Sequence, residues 1–249
     1  MKIGISGFTG RVGQLLVKEI TSGSWEGVEM GAAFAKDIAG VNKDFIVTED
    51  ADELFAKSDV VIDFSSPEAT RKNAWIAANH HKPLIIGTTG LTEADEAELR
   101  DAGKETAIVY AANMSVGVNL LLALVEQAAA RLGPEWDIEI VESHHNKKVD
   151  SPSGTALAIG KAARKGRNGG DFVTDRNGVR KKGDIGYAVM RGGDVVGEHT
   201  LTFFGAGERI ELGHKATDRA LFARGAIRAA QWAKGKAPGL YSMRDVLGL

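Results

Sequence analysis

Short apolar runs alternate with amphipathic stretches through the first half of the chain. Residues 3–6 read as a strand, and residues 11–21 carry Val12, Leu15, Leu16 and Ile20 at helical spacing. Residues 28–34 read as a second strand. The run Val60-Val61-Ile62-Asp63-Phe64 is almost continuously apolar, as expected of a parallel strand covered on both faces. Ser65 and Ser66 before Pro67 and Glu68 mark a helix start, with proline in the first turn and an acid at the positive end of the dipole. The cycle repeats with Leu84-Ile85-Ile86, a helix opened by Thr92 with Asp95 three residues on, and Ile108-Val109-Tyr110. Such alternation predicts βαβ units in a doubly wound parallel sheet, an α/β arrangement of the Rossmann-like kind.

The grammar changes near Asn113. Residues 116–131 read as a long apolar helix, 136–142 as a strand and 155–164 as a helix. Residues 165–183, rich in Gly, Lys, Arg and Asn and without periodicity, read as a mobile surface loop. Residues 187–190, 195–204 and 209–214 read as strands of a mainly antiparallel sheet, interrupted at Gly192-Gly193 and at Gly205-Ala206-Gly207. A last helix covers 220–233. The pattern predicts two domains: residues 1–114, with about 220–249 packing back on them, and an α+β domain of residues 115–219.

Composition narrows the function. The 249 residues are 43% hydrophobic and 26% charged, enough to bury a sizeable core. Lys and Arg number 31 against 33 Asp and Glu, so no excess of positive charge draws the chain to nucleic acid or to an anionic membrane. With no cysteine, disulfides, thiolate nucleophiles and thiolate metal sites are excluded. The start lacks the basic and apolar regions of a signal peptide, and no stretch approaches the roughly 20 apolar residues of a membrane span. The expected location is cytoplasmic.

Two motifs carry chemistry. The first, Gly7-Phe8-Thr9-Gly10-Arg11-Val12-Gly13, links the first strand to the first helix, where glycines let backbone amides and a helix N-terminus face a pyrophosphate. Its spacing is G-x-x-G-x-x-G rather than G-x-G-x-x-G, and a plain tight turn is the competing reading. An NAD site expects an acid about 20 residues on, at the tip of the second strand. That tip reads Phe34-Ala35-Lys36-Asp37: Lys36 would attract a 2′-phosphate, whereas Asp37 could still hold ribose hydroxyls, so the reading leans to NADPH with NADH open. Gly87-Thr88-Thr89-Gly90 falls at the carboxyl end of a later strand, where open α/β sheets bind ligands.

The second motif is Glu142-Ser143-His144-His145-Asn146-Lys147-Lys148-Val149-Asp150-Ser151-Pro152-Ser153-Gly154-Thr155. Ser153 can cap a helix, leaving Gly154 and Thr155 to offer amides and a hydroxyl to a carboxylate, and Lys147 or Lys148 can bind a second one. The competing reading is a solvated basic loop. Metal binding needs a third donor, and only Glu142 and Asp150 lie close, without HExxH spacing. No G-x-S-x-G elbow supports a serine hydrolase.

Taken together with Asp63-Phe64-Ser65 and Ala111-Ala112-Asn113-Met114-Ser115-Val116-Gly117, these motifs make the chain resemble, end to end, the dihydrodipicolinate (4-hydroxy-tetrahydrodipicolinate) reductase family of lysine and diaminopimelate biosynthesis. The resemblance implies hydride transfer from NADPH or NADH to a cyclic, imine-containing dicarboxylate. It implies His144 as the acid that protonates the substrate and Lys148 as a second catalytic cation. His145, Gly154 and Thr155, with Ser153 beside them, would hold the carboxylates, and Arg219 would reach the substrate from the sheet domain. Residues 7–12, 87–89 and Ala111, Ala112, Asn113 and Met114 would contact the cofactor. It also implies a homotetramer built through the second domain's sheet, to which Val195, Leu201, Phe203 and Phe204 contribute unless they form an internal core. Two positions depart from the family: Ala35-Lys36 stands where many relatives carry Glu-Arg, and Met114 where Phe is frequent.

Other readings are a different two-domain dehydrogenase and a non-catalytic NAD(P)H sensor. An aspartate-semialdehyde-type enzyme would want a cysteine, and the presence of His144 and Lys148 speaks against a sensor while leaving that reading open.

Overall fold

In this computed structural model, residues 1–39 and 43–249 are described. The chain forms β1 (Lys2–Ser6), α1 (Arg11–Thr21), β2 (Glu29–Phe34), β3 (Ile46–Thr48), α2 (Ala51–Ala56), β4 (Val60–Asp63), α3 (Pro67–His80), β5 (Leu84–Ile86), α4 (Glu93–Ala102) and β6 (Ala107–Tyr110). There follow α5 (Val116–Arg131), β7 (Asp137–His144), α6 (Gly154–Arg167), β8 (Phe172–Val173), β9 (Ile185–Arg191), β10 (Gly197–Phe204) and β11 (Arg209–Ala216). The chain ends with α7 (Ala220–Ala233), β12 (Gly239–Tyr241) and α8 (Met243–Leu247). Two compact units result: Met1–Val116 with Arg219–Leu249, and Gly117–Asp218.

The first unit is a seven-stranded parallel sheet in the order β12-β6-β5-β4-β1-β2-β3. Alternation along each strand sends successive side chains to opposite faces. Ile3, Ile5, Val60, Ile62, Ile85 and Val109 join one core with Leu16 and Ile20 of α1 and the alanine-rich face of α7. Val61, Leu84, Ile86 and Ile108 join the other with Ala74, Ala77 and Ala78 of α3 and Leu99 of α4. Both faces are dry, which explains runs without polar alternation. The helix starts follow the sequence: Ser66 accepts from Ala69 N–H ahead of Pro67, and Thr92 and Asp95 form a reciprocal capping box.

The second unit is a five-stranded sheet, order β11-β10-β7-β9-β8, with α5 and α6 packed on one face. It is mixed: β10 runs antiparallel to both β7 and β11, while β9 runs parallel to β7 and β8. Gly192-Gly193 therefore does not join a hairpin. The helical crossover through α6 returns the chain parallel to β7, and β10 then takes β7's other edge. Leu201 and Phe203 are fully buried under the helices, in the core rather than at a free surface.

The stretch expected as a mobile loop is instead ordered by charge. α6 runs on to Arg167, and β8 lies within the stretch. Arg180 pairs with Asp137 at 2.7 Å and Glu139 at 3.1 Å, and Arg167 donates to Trp136 O. Low periodicity concealed these long-range ion pairs.

Candidate functional site

In the first unit the candidate residues collect at the carboxyl edge of the sheet. There, backbone hydrogen bonds step from strand to strand: Gly7 N–H to Phe34 O, Phe64 N–H to Ser6 O, Gly87 N–H to Asp63 O and Ala111 N–H to Ile86 O, at 2.9–3.2 Å. The strand order reverses between β1 and β4, the switch point where such sheets bind ligands.

The glycine turn fits a diphosphate. Gly7 has φ +79°, and a Cβ on Gly13 would lie 2.2 Å from Gly7 O, so neither position admits a side chain. Gly10 caps α1 without a side-chain hydrogen bond, leaving the helix start to backbone amides. Thr9 and Arg11 are exposed beside it, Val12 is half-buried, and the Phe8 side chain belongs to the core. Lys36 is exposed just past β2, while the Asp37 carboxylate accepts from Ala39 N–H at 2.9 Å.

Around β4 and β5 the edge is stiffened from below. Thr88 is buried; its Oγ1 accepts from Ser65 N–H at 3.1 Å and bonds Thr70 Oγ1 at 2.9 Å. Thr70 and Asn73 donate to Asp63, whose complete burial pushes its carboxyl up despite the hydrogen bonds it accepts. The Phe64 ring occupies the space a Cβ on Gly87 would need. Thr89 and Ala112 are exposed, Ala111 and Asn113 half-buried. Met114 is 1% exposed in the core, and its carbonyl lies so close to Gly225 of α7 that no Cβ fits there.

In the second unit the strand end and helix start meet. His144 is the last residue of β7; its Nδ1 lies 2.6 Å from Glu142 Oε2. Glu142, 1% exposed, also accepts from Arg191 Nη1 (2.8 Å), Arg191 Nη2 (2.9 Å) and Ser153 N–H (2.9 Å). Burial alone would raise this carboxyl, but the hydrogen bonds from Arg191, His144 and Ser153 outweigh it and hold it below the usual carboxylate range. Ser153 Oγ caps α6 at Ala156 N–H and contacts His199 Nε2 at 3.0 Å. His199 stands edge-on to His144, ring centroids 5.1 Å apart. Burial, then the neighbouring His144, push the His199 imidazole down to about 4.

Beyond the strand the backbone leaves the sheet: His145 N–H donates to Val195 O, and Lys148 N–H to His145 O. The Lys148 ammonium lies 2.7 Å from Asp150 Oδ1, and its charge reaches His199 together with those of His144 and Glu142. Lys147 is exposed. Gly154 and Thr155 form the first turn of α6, with open space around Gly154. Arg219 is exposed at the start of α7 and groups with the first unit. Three members of this cluster, Glu142 as a partner of His144, Arg191 and His199, were not singled out by sequence reasoning. The -x-H pattern of Glu142 and His144, two apart on one strand face, was the available signal for the first. Among the described residues, no group of three His, Asp or Glu side chains could hold a metal ion.

A parallel sheet in this order with a glycine-lined first turn, and a separate mixed-sheet unit carrying a buried carboxylate–imidazole pair, define a pyridine-nucleotide-dependent oxidoreductase of two units. Residues 1–114 match the family model described as dihydrodipicolinate reductase, N-terminus, and residues 117–247 the one described as dihydrodipicolinate reductase, C-terminus. The chain belongs to the dihydrodipicolinate reductase family. It is 46% identical over 268 residues to a 4-hydroxy-tetrahydrodipicolinate reductase of Ruegeria sp. (strain TM1040), covering 98% of this chain and 97% of that protein. With that of Zymomonas mobilis it shares 45% over 257 residues, covering 100% and 98%. In fold it is similar to a dipicolinate-bound dihydrodipicolinate reductase from Paenisporosarcina sp. TG-14, with a TM-score of 0.83, 21% identity and 97% of each chain covered.

Proposed function

We propose that the chain reduces 4-hydroxy-tetrahydrodipicolinate to tetrahydrodipicolinate with NAD(P)H, a step of lysine and diaminopimelate biosynthesis. The observation that carries this is the joining of His144, through Glu142, to Ser153 at the mouth of α6, which puts a proton donor beside a helix start suited to a carboxylate. A bound nicotinamide supplies the hydride; the protein supplies orientation, charge and the proton. His144 gives the proton to the substrate as the hydride arrives. His145, Ser153, Gly154 and Thr155 hold one carboxylate, while Lys148 exchanges its contact with Asp150 for the substrate. The glycine turn, residues 87–89 and residues 111–114 hold the cofactor.

NADPH is the favoured cofactor. Lys36 is exposed to meet a 2′-phosphate, and Asp37, the acid that would hold NADH's ribose, is already engaged by Ala39 N–H. The open face of the second sheet, where Val141, Ala188 and Met190 are exposed, is where copies join as a homotetramer. The work of the enzyme is done in the cytoplasm.

The test is cofactor oxidation, followed by nicotinamide absorbance, with substrate generated by the preceding synthase. His144→Gln should lower kcat by about 100-fold or more and leave NADPH affinity within twofold, as removal of a transition-state acid requires. A protein that binds NADPH and never oxidises it would be a sensor.

A further inference from the structure

Three N–H donors and the Nδ1 of His144 close on the Glu142 carboxylate. Two hydrogen bonds reach each carboxylate oxygen: Ser153 N–H and Arg191 Nη2 at Oε1, His144 Nδ1 and Arg191 Nη1 at Oε2. Only an acceptor-only group satisfies that ring. A side-chain amide of the same shape would place an NH2 against either Arg191 and His144 or Arg191 and Ser153, whichever way it turned. The His144 ring, 8% exposed, is walled on one side by the edge-on His199 ring. Its far nitrogen faces Gly197, the first residue of β10: a Cβ there would lie 2.9 Å from His144 Nε2.

From this geometry we infer that Glu142 is a positioning residue: it holds His144 with a proton on Nδ1, so that Nε2 is the atom through which His144 gives and regains its proton, in the space left by the missing Gly197 side chain. The inference rests on the assignment of His144 as the acid. Arg191 and the Ser153 amide keep the carboxylate charged and fixed, which makes Glu142's hold independent of cofactor and substrate. A neutral imidazole donating from Nδ1 keeps Nε2 as the free acceptor, and on protonation Nε2–H becomes the transferable proton.

Two measurements on the full-length protein decide it. In the 15N spectrum of the wild-type histidines, with His144 identified by the signals that vanish in His144→Gln, the neutral ring should show a protonated Nδ1 and an unprotonated Nε2. The opposite tautomer overturns the inference, and this readout needs no change at Glu142. Glu142→Gln should lower kcat by about 100-fold, with NADPH affinity within twofold, and should change the His144 ring signals; Glu142→Asp, still acceptor-only, should retain more of kcat. A folded Glu142→Gln protein with kcat within threefold of wild type also overturns it. Full kcat in His144→Gln would sink the acid assignment instead, while the tautomer measurement would still report on Glu142.

Discussion

Two residues show how local surroundings set behaviour that composition conceals. Lys36 lies exposed past β2, whereas Asp37 turns its Oδ1 to Ala39 N–H. Lys36→Ala should therefore weaken NADPH by about tenfold, the worth of one exposed phosphate contact, and leave NADH nearly unchanged; titration of both cofactors by fluorescence checks this. His199 is the second. Unfolded, it takes up a proton near its ordinary 6.5; folded, only near 4. Between those values the unfolded state binds more protons, so stability contributed by the neutral ring is whole above about pH 6.5 and lost as pH falls towards 4. At pH 5 the loss is on the order of 2 kcal/mol. His199→Gln should shrink the difference in unfolding free energy between pH 7 and pH 5 by about that much in urea titrations.

At the scale of elements, sequence periodicity served well where partners are local. The bounds of α1, α5 and α7 coincide with their apolar repeats, and the Thr92 and Ser66 caps were legible because their partners lie three residues away. It failed where the partner is remote. The direction of β9 depends on a crossover, not on the glycines beside it, and β12 is three residues long with no pattern of its own. The site divides the same way: the His144 segment was readable as a string, but Arg191, 49 residues from Glu142, was not. Gly13 tests the turn that joins β1 to α1. Its substituted Cβ would meet backbone at Gly7 and Phe8, at 2.2 and 2.6 Å, with no flexible atom to yield. Gly13→Ala should cost about 2–3 kcal/mol of stability and most NADPH affinity, read by thermal melting and titration. Arg180 tests the charge lattice over β7. Arg180→Ala should make the Asn177–Lys181 stretch cleavable by trypsin several times faster, with little change in Tm, because its ion pairs order a surface segment rather than a core.

At the scale of the whole molecule, α5 and α6 cover one face of the second sheet, and the other presents exposed apolar side chains. Met190 is 55% exposed and Val141 39% on that face, Val141 opposite Ala188 and Met190 two residues beyond Ala188 along β9. On the proposed homotetramer, of four times 26.4 kDa, placing a charge there, as in Met190→Glu, should lower the mass seen by light scattering towards a smaller species. An unchanged mass would remove this face from the assembly.

The chain leaves its first unit at Val116 and does not return until Arg219. The elements that complete the first sheet, α7 against its core and β12 along β6, thus leave the ribosome only after the whole inserted unit. Until then β6 is paired only with β5, its outer edge open, and the apolar face awaiting α7 is open to water. The inserted unit, whose strands all lie within residues 137–216, can fold while the host is still unfinished. The unit that carries the glycine turn is therefore begun first and completed after the unit inserted in it, and the burden of guarding exposed greasy surface in the nascent chain falls on it.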